Sequence, residues 1–207
     1  MPTTPNWLLP YPALTDTPDV PRDMQALANR IELVAPVLRG TSLPATPVDG
    51  QLFEWVIDET QGIQWLMRYN AAAATYKWEF VGGPAKQEKS DPEAAPGTLP
   101  TYIANGPPIT IPKSGQWAFE YGAMMFLGSG PGGIGALLAS LLTNGVAGGR
   151  GLYYQHPNGT ASDCSTVEQR VVAKGATVSV GAALQSGSTG STQYRWLRWH
   201  PIRVAND

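Results

Sequence analysis

The sequence predicts a mainly β protein with an extended N-terminal arm, one short helix, a small aromatic β-module and a C-terminal β-sandwich. Three observations carry this. Glycine (23) and proline (19) are abundant while charged residues make up only 14%, the composition of many short strands joined by turns. Strand-like runs recur at intervals near ten residues across 101–207, the spacing of a sandwich. One stretch alone, 20–38, carries a clear helical period.

Residues 1–19 are rich in proline and carry Trp7, Leu8, Leu9, Tyr11 and Leu14. Such a strip cannot build its own core, yet it presents large apolar groups that favour burial. It reads either as a docking arm for a larger assembly, with Trp7, Leu9, Tyr11 and Leu14 as the contacts, or as an arm wrapped on its own protein.

In 20–37 the apolar residues Val20, Met24, Leu27, Ile31 and Val34 fall at alternating steps of four and three. That is the heptad seam of a coiled coil. β-Branched residues stand at both kinds of seam position, which tilts the choice from two strands toward three or more. Asp19 suits the N-cap and Pro21 the first turn, and Pro36 would stop the helix. At about two heptads the helix is too short to be stable alone in water. The alternative is one ordinary amphipathic helix packed on a β-domain.

After a proline-broken connector, 38–83 reads as a β-module with strands at 51–57, 63–69 and 76–81. Trp55, Trp65, Tyr69, Tyr76, Trp78 and Phe80 make it strongly aromatic. A unit of this size cannot bury them all, so packing on copies of itself or on a neighbour is expected. Residues 84–100 mix charge with proline and show no apolar period, which predicts a linker and a domain boundary. The head, 101–207, has strand candidates at 109–111, 115–127, 135–143, 151–155, 165–173, 177–184 and 194–204. Asn144-Gly145 and Asn158-Gly159 are hairpin turn signals. The run GALLASLL at 135–142 is equally compatible with a helix.

The net charge of −2 disfavours a general electrostatic grip on nucleic acid. The lone Cys164 excludes an intramolecular disulfide framework, and one Cys with two His is too few for a Cys-based zinc site. Residues 1–12 lack the basic and apolar regions of a signal peptide, and no run of 18 apolar residues occurs, so no membrane insertion is expected.

The motifs that could carry chemistry are weak. GSGPGG at 128–133 has the G-x-G-x-x-G spacing, but no acidic residue follows in 148–155 and no strand–helix–strand repeat follows it. Cys164 with His156 and Asp163 offers no recognised nucleophile–base spacing. Glu54, Asp58, Glu59 and Glu79 supply carboxylates for a glycosidase pair only in principle. No catalytic, cofactor or metal residue is therefore assigned. Period two puts Trp196 and Arg198 on one strand face and Arg195, Leu197 and Trp199 on the other, which suits a packed interface strand better than a single-strand nucleic-acid platform.

Two blocks carry family likenesses. In the head, ITIPKSGQW at 109–117 and AKGATV at 173–178 resemble strand entries of the trimeric jelly rolls of tumour necrosis factor and the complement globular heads. This implies a jelly-roll-like head over roughly 101–204. In the first part, LPYPALTDTPDVP at 9–21, QALA at 25–28, LPATPVDGQ at 43–51, WLMRY at 65–69 and YKWEFVG at 76–82 resemble phage minor tail and virion fibre proteins. The chain-end WHPIRV at 199–204 is of the same kind. The resemblance implies a homotrimeric, non-enzymatic component of a virion: a tail, neck or head fibre anchored on other virion proteins, with the head outward toward a host-surface glycan or protein. A capsid decoration protein without a host-binding role is the alternative, and a polysaccharide-degrading enzyme ranks below both. Any ligand contact is expected on the Gly- and Ser-rich loops 127–135 and 185–193, at Ser129, Gly130, Ser186, Ser188 and Thr189.

Overall fold

A computed structural model describes residues 19–33, 37–130, 134–148, 151–157 and 159–207. The chain divides into two compact units, Met1–Arg39 and Gly40–Asp207. In the first, α1 spans Val20–Leu33. Its start is capped as expected: Asp19 Oδ1 accepts from the backbone N–H of Arg22 at 3.1 Å, satisfying one of the helix's orphan donors. A short strand, β1, follows at Leu38–Gly40.

The second unit is built from β2 (Leu52–Asp58), β3 (Ile63–Tyr69), β4 (Trp78–Gly82), β5 (Lys86–Ser90), β6 (Gly97–Thr98), β7 (Ile103–Ala104) and β8 (Ile109–Thr110). The longer strands β9 (Gly115–Ser129), β10 (Ile134–Thr143), β11 (Val146–Ala147), β12 (Leu152–Pro157), β13 (Thr160–Val172), β14 (Thr177–Leu184) and β15 (Thr189–Val204) complete it. One sheet runs β2-β3-β4-β15-β9-β13, with β5 also on β15. The other runs β11-β10-β14-β6, with β12 beside β10 and β7 and β8 beside β14. The far edge of β14 is thus closed by three two-residue strands, β8 on Thr177 and Val178, β7 on Gly181 and Ala182, and β6 on Ala183 and Leu184.

Strict alternation makes β9 the floor of the core. Trp117, Phe119, Tyr121, Ala123, Met125 and Leu127 all face inward and are buried. Leu137 and Leu141 of β10, Val178 and Val180 of β14, and Leu197 and Trp199 of β15 join them in one cluster, so the two sheets face each other as a sandwich. Between β10 and β11, Asn144 (φ 50°) and Gly145 (φ 78°) take the two left-handed conformations of a type I′ hairpin, as the Asn-Gly signal predicts. The run at 135–142 is strand, not helix, because it pairs with β12 on one side and β14 on the other.

Two expectations need correction. Residues 84–100 are not a plain linker: Lys86–Ser90 is β5, hydrogen-bonded to β15 from Arg195 to Trp199. A strand held by its neighbour's backbone needs no apolar period of its own, and that period is what 86–90 lacks. The aromatic module does not stand apart, since β4 pairs with Arg203 and Val204 of β15 and extends the head's own sheet. Gly40–Asp207 is accordingly one unit rather than module, linker and head. In the second sheet β14 is buried on both faces, because its second face carries Ser179, Gly181 and Ala183, small enough for the Leu142 side chain to lie against Gly181.

The seam between β3, β4 and β15 is fastened at Glu79. Its carboxylate accepts from Arg68 at 2.6 Å and Asn70 at 2.9 Å, and pairs with Arg203 at 3.3 Å. The Arg68 and Asn70 hydrogen bonds hold the Glu79 carboxyl below its ordinary value of 4.5. A carboxyl depressed on folding stabilises fully above that ordinary value, and the contribution is lost as pH falls through the lower folded value. Both arginines are about half exposed, so the expected contribution is only about 0.2–1 kcal/mol. Glu79→Gln should therefore flatten the acid side of the stability–pH curve while leaving its shape above about pH 6 unchanged. Urea midpoints taken across pH would check this, and an acid limb as steep as the parent's would rule the linkage out.

Candidate functional site

Three surfaces hold the residues that the sequence singled out. On α1, Val20, Met24 and Leu27 are 64%, 65% and 36% exposed, so among the described residues the first half of the seam is an uncovered apolar stripe. Ile31 lies within α1, but its side chain is outside the described residues, as are Val34 and the whole arm with Trp7, Leu9, Tyr11 and Leu14.

The second surface is the end of the sandwich where β9 stops and β15 starts. Ser129 and Thr189 were expected in loops but are paired strand residues, and their hydroxyls hydrogen-bond at 2.7 Å. The loop at 185–193 shrinks to a tight turn around Ser186 and Gly187, because 189–193 is already β15. The Ser188 hydroxyl accepts from the Ala136 N–H at 3.4 Å, which anchors the turn to β10. Gly130 follows β9 directly, and 131–133 lies outside the described residues. The structure thus brings Ser129, Gly130, Ser188 and Thr189 together at one end, with fewer free loop residues than the sequence suggested.

The third surface lies on β15. The predicted division of faces is observed: Arg195, Leu197 and Trp199 are buried, Arg198 is exposed and Trp196 is half-buried. A β-bulge between Gln193 and Trp196 resets the alternation. It places Gln193 and Tyr194 side by side toward solvent and leaves Tyr194 at φ 47°, a strained conformation for a bulky side chain. No sequence signal marked this bulge. Tyr194, Trp196 and Arg198 line a shallow groove of about 360 Å³ with Gln87, Lys89 and Asp91. Arg198 lies 5.2 Å over the Trp196 ring, donates to Gln87 Oε1 at 2.8 Å and pairs with Glu120 at 3.4 Å. On the inner face, the guanidinium of Arg195 donates to the Thr192 carbonyl at 2.7 Å and to Ser90 Oγ at 2.9 Å. Burial alone pulls its pKa down. The charged residues of 86–91 were legible, but their placement beside Trp196 depends on β5 pairing with β15.

The other candidates separate. Cys164 is half-buried on β13, and its thiol is pushed up by burial and by the Asp163 charge, the direction opposite to nucleophile activation. His200 stacks on Phe80 at 4.8 Å. Asp58 accepts from Thr60, Gln61 and Lys86 at the β2–β3 turn, while Glu79 is engaged by its arginines. Gly128 and Ser129 of the glycine-rich run belong to β9, and the next described element is the strand β10 from Ile134 rather than the helix a phosphate loop would lead into.

No family model and no curated protein matches the chain. Among solved structures it is similar to the globular domain of a zebrafish complement 1qA protein, at 12% identity and a TM-score of 0.36, covering 59% of this chain and 99% of that one. It is also similar to the Eiger TNF of S. frugiperda, at 9% identity and a TM-score of 0.38, covering 60% and 96%. The isomalto-dextranase of Arthrobacter globiformis T6, complexed with panose, matches at 12% identity and a TM-score of 0.26, covering 72% of this chain and 22% of that one. The two-sheet assignment rests on the strand pairings themselves.

Proposed function

We propose that this chain is a non-catalytic structural component of a phage particle: a homotrimeric appendage, anchored by its N-terminal arm on other virion proteins, with the sandwich outward. The observation that carries the trimer is the uncovered stripe of Val20, Met24 and Leu27 on a helix of 14 residues. A helix that short is marginal in water, and copies of itself packed along that stripe would supply the missing stabilisation. A second support is β13, which ends its sheet and exposes Val167 and Val171. Native proteins seldom leave so long an edge strand uncovered. The virion setting is supported by the resemblance carried by residues 7–83.

Light scattering on the purified chain should give about three times the 22.1 kDa monomer mass. The double variant Met24→Glu, Leu27→Glu places charges on the stripe. It should fall to the monomer mass while the thermal transition of the sandwich stays in place. A parent chain that is monomeric at every concentration would sink the trimer, and a double variant that remains trimeric would move the interface from the helix to the sandwich. For the anchor, removing residues 1–19 should leave the sandwich folded but eliminate the protein from assembled particles.

A further inference from the structure

Tyr194 is held in a strained backbone conformation by its buried neighbour. Gln193 pairs with Met124 and Trp196 with Gly122, so Tyr194 and Arg195 together oppose a single residue of β9. A φ of 47° is costly for a tyrosine, and such strain persists only where the surroundings impose it. Here Arg195 imposes it. It is 2% exposed, and its bonds to the Thr192 carbonyl and to Ser90 Oγ tie the bulge to the end of β5 from the inner face. Tyr194 itself is 55% exposed, and among the described residues its hydroxyl has no hydrogen-bond partner and its ring stacks on no other ring. The strain therefore aims a free tyrosine into the groove between β15 and β5, the use to which bulges beside binding sites are put. The floor of that groove is fixed as well. The Trp196 indole lies against Gly122, Arg198 lies over it, and Gln87 and Glu120 hold Arg198 in turn. Lys89 and Asp91 form the β5 side. Both are exposed, and among the described residues neither the ammonium nor the carboxylate has a hydrogen-bond or ion-pair partner.

These groups define the ligand. Lys89 offsets Asp91 and Glu120 offsets Arg198, so the groove has no excess of either sign to favour a polyanion. What it presents unpartnered is a mixture. The Asp91 carboxylate is an acceptor, the Lys89 ammonium is a donor, and the Tyr194 hydroxyl is both. Gln87 gives its Oε1 to Arg198 and keeps its amide N–H groups free. A molecule whose hydroxyls donate and accept, and which carries no charge, matches that set. Both faces of the Trp196 indole are taken by Gly122 and Arg198, which leaves the Tyr194 ring as the aromatic surface for a C–H face. At about 360 Å³ the groove is at the small end of ligand sites, so the bound stretch is short. We propose that this groove binds a short stretch of a neutral saccharide, with one sugar ring on Tyr194 and its hydroxyls shared between Asp91 and Lys89. The site is on the sheet face and not among Ser129, Ser188 and Thr189 at the end of the sandwich. It goes beyond the proposed function, because it requires neither the trimer nor the particle.

The test is a titration of the full chain with maltotriose, cellotriose, chitotriose and a short oligothymidylate, read by amide shifts in NMR. At least one trisaccharide should bind and move the amides of 87–91 and 194–198, while the oligothymidylate moves none of them. Tyr194→Gly removes the ring and also the left-handed strain, so it should weaken that saccharide about five- to tenfold while leaving the thermal transition in place. Tyr194→Phe keeps the ring and should stay within about threefold of the parent. Asp91→Asn should weaken binding about tenfold, the loss of a charge-assisted hydrogen bond. Asp91 is exposed and unpartnered among the described residues, so its variant should keep the parent's fold and report on binding alone. No shift in these two segments with any of the three trisaccharides at tens of millimolar would overturn the site. Binding unchanged in Tyr194→Gly or in Asp91→Asn would overturn the assigned contacts. Equal movement of the same amides by the oligothymidylate would replace the saccharide with a nucleic-acid strand. A monomer by light scattering that still binds the trisaccharide would leave this inference standing and remove only the trimer.

Discussion

Trp65→Ala is expected to cost the Gly40–Asp207 unit about 3–5 kcal/mol, the upper range for removing a large buried side chain. Trp65 of β3 is fully buried. Its ring meets Trp55 of β2 at 5.6 Å, Trp117 of β9 at 5.8 Å and Trp199 of β15 at 5.4 Å, all edge to face. Each such pair contributes roughly 0.5–1.5 kcal/mol beyond its area. The indole N–H also donates to the Pro84 carbonyl at 2.8 Å, and truncation leaves that acceptor without its donor. Because one side chain joins β2 and β3 to the two longest strands, its loss should loosen the whole unit in a single transition. At about 2–4 °C per kcal/mol, the melting temperature should fall by roughly 6–20 °C. Urea unfolding would measure the change, with Trp65→Phe as the comparison that keeps one aromatic ring while removing the N–H and the rest of the indole. A loss under about 1 kcal/mol for the alanine variant, or a separate early transition for 40–83, would show that the aromatic segment is not part of the head's core.

The second large effect should come from a single methyl. Gly122 stands mid-strand in β9, opposite Ser165 of β13 on one side and Trp196 of β15 on the other. A Cβ there would lie 2.6 Å from the Cys164 carbonyl and 2.8 and 2.9 Å from two atoms of the Trp196 indole. The carbonyl belongs to a continuous ladder of thirteen residue pairs and cannot retreat without spreading β13 from β9. The indole is held from above by Arg198. Overpacking of this kind costs about 1–3 kcal/mol. Gly122→Ala should therefore lower stability and raise amide exchange along β13 around Cys164, while β10 and β14 keep their protection. Exchange unchanged in β13 would mean that the two strands tolerate the methyl, and the close approach would lose its structural role.

These two sites show how far local pattern reaches. The alternation of Trp117, Phe119, Tyr121, Ala123, Met125 and Leu127 marks β9 without any partner in view, because a strand's inner face is set by a period of two. The Asn144-Gly145 turn was legible for a similarly local reason: both residues tolerate positive φ, and few others do. The cap of α1 and the split of Trp196 and Arg198 from Leu197 and Trp199 belong to the same class of information. Of the candidate ligand residues, the pattern correctly put Ser186 in a turn but placed Ser129 and Thr189 in loops, because Gly- and Ser-rich strand ends look like loops until a partner strand is present.

What the sequence by itself determined was therefore a mainly β chain, the approximate positions of its long strands, its tight turns and one capped amphipathic helix. Only the tertiary structure decided that 86–90 is a strand, that the aromatic residues of 53–80 close onto β9 and β15, and that Tyr194 sits on a bulge. Only it brought Lys89, Asp91 and Tyr194 to one groove. The reason is physical. Backbone periodicity and turn geometry are set by neighbours a few residues away. The contacts of Trp65 with Trp199, or of β5 with β15, join residues about a hundred or more positions apart, and no local period encodes which distant strand will supply the missing hydrogen bonds and apolar surface.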